Sequence, residues 1–488
     1  MTNISTSEHL ARPTLKLPAV APCFIGGEHV LPGGREVDVI DPYTGSPMGR
    51  VAESDSAIVD SAVRAAHVAF GSWSRRPLQE RVDIVLAAAD AVERAGEELA
   101  EIVTREMGMP ISLSRVTQWH LPATLLRTAA AQALEIPWVQ SIPGATLHRR
   151  PSGVVAAISP WNMPLYQIMA KIANAIVAGC TVVIKPSVQT PYDALRLAEI
   201  MHEGGIPVGV VNVIQGAGSR TGSELSRHPL VSHVSFTGSV EAGRSVATDA
   251  ATTLARCTLE LGGKSPAVIL PSADLNQAVR NVLHSGFVNS GQACNATTRI
   301  LVPRSQSGTA EDVIRDAVTS FRLGNPALES TNYGPMSSAG HACEVLAAID
   351  RAIKDGGRVI TGGNEAAVDG SGGIFIEPTV IADLEEDAHA VQEEIFGPVL
   401  VLQTYTDVDD AVRVASNSQF GLSSEVWGDA DEAQSVARQL HVGQVKINGV
   451  RTRERPTVPF GGVKNSGYGR ELGTIGLEEF TDVTAVMA

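Results

Sequence analysis

From Gly153 onward, short apolar runs of strand length alternate with helical segments, and this alternation constrains the fold more than any other feature of the chain. Residues 154–158, 181–184, 210–214 and 231–236 read as buried strands. Between them, residues 165–178 (closed by Gly179), 194–202 and 221–226 read as helices. Parallel strands need crossovers to return the chain to the same edge, so the pattern predicts a parallel sheet with helices on its faces. Such sheets bind ligands beyond the carboxyl ends of their strands. Here those ends are Ser159, Lys185, Gln215 and Phe236, and each opens into Gly, Pro, Ser or Thr. A second alternation begins near Ala267 and runs past Gln403, with helices over 276–289 and 342–354. Upstream, residues 57–70 and 79–107 read as helices, the second with Val82, Leu86, Ala89 and Val92 at helical spacing. Residues 134–150 are β-prone around a turn at Pro143 and Gly144, and 480–487 reads as a last strand.

Length and charge narrow the function. A chain of 488 residues holds about three domains. Lys and Arg total 38 against 53 Asp and Glu, a net charge of −15. That excess speaks against nucleic acid and anionic membranes as partners. Cys23, Cys180, Cys257, Cys294 and Cys343 are odd in number and widely spaced. None forms a CxxC pair or a zinc-like cluster, so no metal site is expected and a reduced, cytoplasmic setting is. The first residues lack the pattern of a secretory signal. The apolar region 153–184 is broken by Pro160, Asn162, Pro164 and Lys171, so it does not read as a membrane span.

Three side chains stand out as chemistry. Cys294 lies among small and amide residues in Asn289-Ser-Gly-Gln-Ala-Cys294-Asn295. A helix opening there would favour thiolate; a buried structural thiol is the alternative. Glu260 ends a short apolar strand before paired glycines, where partial desolvation would suit a general base. Its alternative is a strand-end pair with Lys264. Asn162, held between Pro160 and Pro164, is either a rigid donor to an oxyanion or a turn residue. Three loops after strands resemble phosphate cradles: Lys185-Pro-Ser187, 216–222 and 236–243. The second, Gly216-Ala-Gly-Ser-Arg-Thr-Gly222, is one residue too long for a GxGxxG fingerprint.

Taken in order, these and further motifs resemble the NAD(P)-dependent aldehyde dehydrogenase superfamily over nearly the whole chain. They are Pro160-Trp-Asn-Met-Pro164, Lys185-Pro-Ser187 with Gln189-Thr-Pro191, Phe236-Thr-Gly-Ser239, Leu259-Glu-Leu-Gly-Gly-Lys-Ser-Pro266 and Gly291-Gln-Ala-Cys294. Glu393-Glu-Ile-Phe-Gly-Pro398, Pro459-Phe-Gly-Gly-Val-Lys464 and Ser466-Gly-Tyr-Gly-Arg-Glu471 follow. The resemblance implies an α/β fold of two doubly wound parallel-sheet domains plus a small β oligomerisation flap. Its expected parts are an arm over 1–19, a cofactor-binding domain over 20–130 and 151–259, a catalytic domain over 260–470, and a flap over 131–150 and 471–488.

The same resemblance implies the chemistry. Cys294 attacks the aldehyde, Asn162 and the Cys294 N–H hold the oxyanion, a thioester forms after hydride loss, and Glu260 activates water to release the acid. It places NAD or NADP against Trp161, Lys185, Ser187, Gly218, Gly238, Ser239, Gly243, Leu261, Glu394 and Phe396. Val188 stands where many NAD-preferring members carry Glu, which points either to easier acceptance of NADP or to NAD held well enough by Lys185 and the backbone. For the substrate it points to Met163, Tyr166, Met169 and Ala293 as a mostly apolar tunnel, and to Arg451 and Arg453 at its entrance. Ala170 replaces the arginine of succinate-semialdehyde-type members. The expectation is a medium-sized hydrophobic aldehyde; a carboxylate-bearing semialdehyde, or a CoA-acylating reaction, is the alternative. A cysteine hydrolase would need a histidine partner for Cys294, and His284 reads instead as structural. The flap implies a homodimer or homotetramer, since paired edge strands are better buried than open.

Overall fold

The computed structural model describes residues 15–451 and 455–487. Its first sheet is built on β1 (Val154–Ile158), β2 (Thr181–Lys185), β3 (Val211–Val213), β4 (Val231–Thr237) and β5 (Arg256–Glu260). These five run parallel in the order β5-β4-β1-β2-β3. Antiparallel Gly467–Tyr468 extends the β5 edge, and the hairpin Cys23–Ile25 with Glu28–Val30 extends the β3 edge. Every residue of β1 and β2 is buried, which is why they read as continuous apolar runs rather than alternating ones. The crossover helices are α1 (Pro164–Ala178), α2 (Pro191–Glu203) and α3 (Val240–Ala251). α1 opens with Pro at its first position and closes on Gly179 at φ 104°, a conformation that costs glycine nothing. The strand order reverses between β1 and β4, which opens a crevice at their carboxyl ends.

The second sheet holds β6 (Ser265–Ile269), β7 (Thr297–Pro303), β8 (Thr379–Ala382), β9 (Val399–Tyr405), β10 (Ser423–Trp427) and β11 (Gln444–Ile447). They run parallel in the order β8-β9-β7-β6-β10-β11, with antiparallel Arg358–Thr361 outside β8. Helices α4 (Leu275–Gly286) and α5 (Ala339–Lys354) belong to this half. A third sheet pairs Val139–Ile142, Ala145–Pro151 and β12 (Thr481–Met487) antiparallel. Its outer residues Val139, Val483, Val486 and Met487 are exposed. Among the described residues, no helix is long and apolar enough to cross a membrane, and no His, Cys, Asp and Glu group could hold a metal ion.

Three local expectations differ from the structure. The helix over 79–107 is two, Leu78–Arg94 and Gly96–Met107. A Cβ on Gly96 would lie 1.7 Å from the Trp119 ring, so the chain bends at Ala95 to seat that indole. Within the first of them Val82, Ala89 and Val92 face the core as expected, whereas Leu86 is exposed and Val85 is buried in its place. The helix over 276–289 ends at Gly286, because Asn289 and Ser290 take left-handed angles, φ 53° and 56°. The β-prone stretch from Leu134 begins inside a helix, Leu121–Glu135, that was not expected.

Candidate active site

The carboxyl ends of the first sheet meet the amino ends of the second. Asn162 follows β1 and Glu260 ends β5, whereas Cys294 lies three residues ahead of β7. No helix opens at Cys294. Asn289, Ser290 and Gly291 are all left-handed, and a Cβ on Gly291 would sit 2.2 Å from the Gly397 carbonyl oxygen. That tight reversal turns the chain straight into β7, so no helix dipole favours the thiolate. Burial pushes the half-buried Cys294 thiol up to about 12, with Glu394 and then Glu260 adding to the rise.

Asn162 is 2 % exposed, and its Nδ2 donates to the Gln292 carbonyl at 3.1 Å. Its own carbonyl accepts from Asn289 Nδ2 at 3.0 Å. Gln292 is pinned in turn, accepting from the Ser337 N–H at 2.9 Å and donating to the Asn289 carbonyl at 3.0 Å. The amide is therefore locked onto the loop that carries Cys294.

Glu260 is 1 % exposed, and neither carboxyl oxygen finds a partner among the described residues. Lys264 Nζ is also buried and without one, so the strand-end ion pair does not form. Burial holds Glu260 well above the usual carboxylate range; the nearby Glu471 charge raises it further, and Lys171 and Arg470 oppose the rise. Lys171 and Glu471 form a buried ion pair at 2.6 Å, and Lys171 also donates to Thr237 Oγ1. The sequence reading missed this pair. Its one signal was a lysine inside an otherwise apolar run.

The carboxyl ends of the first sheet carry most of the expected cofactor residues, while Glu394 and Phe396 lie just ahead of β9. Ser239 caps α3 by accepting from the Ala242 N–H at 3.2 Å. Lys185 is buried, donates to the Pro186 and Gly216 carbonyls at 2.7 and 3.3 Å, and is lowered by burial to about 8. Ser187 Oγ accepts from the Gln189 N–H at 3.2 Å. Glu394 accepts from the Gly263 N–H at 3.1 Å and is raised by burial to about 7. Phe396 holds φ 56° while His341 Nε2 meets its carbonyl at 2.8 Å, and its ring stands edge-on to Trp161 at 5.6 Å. Gly238 and Gly243 serve internal packing, since a Cβ would strike Phe236 at 2.5 Å and Leu261 at 2.6 Å. Gly218 faces open space. The Ser159 hydroxyl, buried at the end of β1, finds no partner among the described residues. That orphaned group, the open face at Gly218 and the capped start of α3 fit a dinucleotide.

Cys294 opens into a cavity of about 450 Å³. Met163, Tyr166, Ala293 and Arg451 line it, as the sequence predicts. Met169 does not: it is fully buried in the main core, because six residues beyond Met163 it lies about 120° round the helix from that cavity-lining side chain. Arg453 lies outside the described residues. Leu121, Val288 and Phe460 also line the cavity, and so do His284 and Lys446. Sequence periodicity carries no signal for these last two.

Comparison with known proteins agrees with this geometry. A family model described as the aldehyde dehydrogenase family matches residues 30–486. A 3-succinoylsemialdehyde-pyridine dehydrogenase from Pseudomonas sp. is 40 % identical over 95 % of this chain and 98 % of its own. A geranial dehydrogenase from Castellaniella defragrans is 39 % identical over 92 % and 95 %. The crystal structure of an aldehyde dehydrogenase C mutant from Pseudomonas syringae, complexed with NAD+ and octanal, superposes with a TM-score of 0.93 at 38 % identity, covering 96 % of this chain and 97 % of that one. The molecule is an oxidoreductase. It belongs to the aldehyde dehydrogenase family and oxidises aldehydes to carboxylic acids with NAD.

Proposed function

We propose that the substrate is a medium-sized aldehyde with a largely apolar body, and that Cys294, Asn162 and Glu260 carry the reaction. The observation behind this reading is the cavity of about 450 Å³ that ends at Cys294 and is walled by Met163, Tyr166, Val288 and Phe460. Octanal and geranial, named for two relatives, are aldehydes of this kind.

Cys294 Sγ attacks the carbonyl carbon and gives up its proton to a nearby base. Glu260 suits that task, since a carboxylate with a raised pKa is the stronger base. Asn162 Nδ2 and the Cys294 N–H hold the oxyanion of the tetrahedral adduct. NAD, when bound, supplies the hydride acceptor. Lys185, Ser187, Ser239, Glu394 and Phe396 hold it, with Trp161 and Leu261 as walls. Once Glu260 has passed the thiol proton on, it takes a proton from water, and the hydroxide adds to the thioester to release the acid and the Cys294 thiolate. Glu471, buried behind Glu260 and paired with Lys171, is the acceptor next in line for that proton.

The division of labour belongs to the same reading: the eight-stranded unit binds cofactor, the seven-stranded unit supplies the nucleophile, and the flap joins subunits. All five cysteines are free, which suits a reducing cytoplasm.

The test is formation of reduced nicotinamide with aliphatic, aromatic, terpenoid and carboxylate-bearing aldehydes, without CoA. Turnover of medium apolar aldehydes that vanishes in Cys294→Ala is the expected result. Activity that appears only when CoA is added would make the reaction acylating and leave Glu260 without its role.

A further inference from the structure

The cavity above Cys294 has two unlike walls. One is apolar, formed by Met163, Tyr166, Val288 and Phe460. The other carries His284, Lys446 and Arg451, three nitrogen donors, in a protein whose net charge is −15. Part of that wall is built by α4, where Asn281, His284 and Ser285 sit three and four residues apart and so share one face.

Each donor is held in place but not used up. The His284 ring stacks at a tilt on Phe321, with centroids 5.2 Å apart. Burial and the charges of Arg451 and Arg280 keep its imidazole below the usual histidine range, so it offers one N–H rather than a second cation. Arg451 reaches Asn281 through Nη2 alone, at 3.3 Å to Oδ1 and 3.5 Å to the carbonyl. Its Nε and Nη1 donors have no partner among the described residues. Lys446 meets Glu425 Oε1 at 3.1 Å. That carboxylate is already filled by Ser285 Oγ at 2.6 Å, Thr297 Oγ1 at 2.8 Å and Trp427 Nε1 at 3.2 Å. Lys446 is thus balanced by Glu425, whereas Arg451 has no carboxylate partner among the described residues and presents its free donors to the cavity.

A plain hydrocarbon chain seated here would strip water from these donors and return nothing. An acceptor on the substrate would replace that water. We propose that the aldehyde carries a hydrogen-bond-accepting oxygen, of a ketone or a carboxylate, at the end remote from the reacting carbon, and that Arg451 and His284, backed by Lys446, select for it. This rests on the apolar-body reading above and adds the far end of the substrate to it.

Three aldehydes of equal medium length test it: an n-alkanal, the same chain ending in a methyl ketone, and the same chain ending in a carboxylate. The readout is kcat/KM for each with NAD, and the ratio of each polar aldehyde to the alkanal. We expect at least one polar aldehyde to exceed the alkanal by about tenfold or more in the wild type. In Arg451→Met and His284→Phe that ratio should fall toward one. Because it is a ratio within one preparation, partial misfolding of a variant cancels. A carboxylate preference lost mainly in Arg451→Met assigns an ion pair; a ketone preference lost in both assigns neutral hydrogen bonds. An alkanal turned over as well as or better than both polar aldehydes overturns this inference and leaves the apolar-aldehyde reading standing. A polar preference unchanged in both variants also overturns it. Turnover of none of the three overturns both.

Discussion

Cys294 is a poor nucleophile in the structure as it stands, and the reason lies in its neighbours. Burial and two carboxylates, Glu394 and Glu260, hold its thiol near 12. Alkylation by iodoacetamide should therefore be slow at neutral pH and rise steeply in alkaline solution, and Glu260→Gln should move that rise to lower pH by removing one of the charges. Glu260 is itself coupled to Glu471 and Lys171. Its raised pKa keeps it protonated through the lower pH range, so base catalysis should grow as pH rises through that value. Glu471→Gln deletes the charge that disfavours ionisation and leaves the Lys171 cation unopposed. Both effects stabilise the Glu260 carboxylate, so the ascending limb of the pH–rate profile should shift to lower pH. Lys171→Met should shift it the other way. Asn162→Ala should lower the rate by about 10²–10³, the usual cost of one oxyanion donor. A rate within a factor of a few of wild type in single-turnover assays would remove Asn162 from that role. Val188→Glu should lower the use of NADP relative to NAD, since a carboxylate there would repel the 2′-phosphate.

Among the elements, the turn before β7 places Cys294, the proposed nucleophile. Gly291 combines φ 75° with a neighbouring carbonyl oxygen that cannot retreat cheaply. Gly291→Ala should cost roughly 1–3 kcal/mol in thermal unfolding and should lower turnover more than that loss of stability explains, because the same turn aims Cys294. Equal Tm and activity would mean that the loop relaxes freely. This turn also shows where sequence reading stops. Helical periodicity carries through Phe287; Asn289-Ser-Gly291 is a turn signal, but it does not say that both Asn289 and Ser290 go left-handed. The break at Gly96 is of the same kind: the residues around it are sound helix formers, and it is Trp119, over twenty residues on, that forces the bend. By contrast, β1, β2 and α1 were legible, because full burial writes itself as unbroken apolar runs and Pro and Gly mark the ends of the helix.

At the scale of the whole molecule, two sheets face each other across the site, and pH acts on more than catalysis. Glu106 and Asp193, far apart in sequence, are buried together and held well above their ordinary values, Glu106 by burial and then the Asp193 charge, Asp193 by burial. Their folded-state values exceed the unfolded ones, so their contribution to stability is full at acid pH and is lost as pH rises into the range where they ionise. Asp193→Asn should therefore lose less stability than wild type as pH rises above the ordinary carboxylate range, where the unfolded chain ionises first, as read by urea unfolding. Truncation after Phe480 removes β12 and leaves Ala145–Pro151 with an open edge; if the flap joins subunits as proposed, sedimentation should show a smaller assembly than the full chain forms. The sequence by itself determined the parallel-sheet halves, because strand alternation is written in local spacing; its ordered motifs pointed to the family and singled out Cys294, Glu260 and Asn162 as the proposed catalytic residues. Tertiary structure alone decided that Met169 is core, that Lys171 pairs with Glu471 some 300 residues away, and that His284 and Lys446 face the substrate cavity. Those outcomes depend on which faces of distant elements meet, and no local pattern encodes the energy of a contact whose partner has yet to arrive.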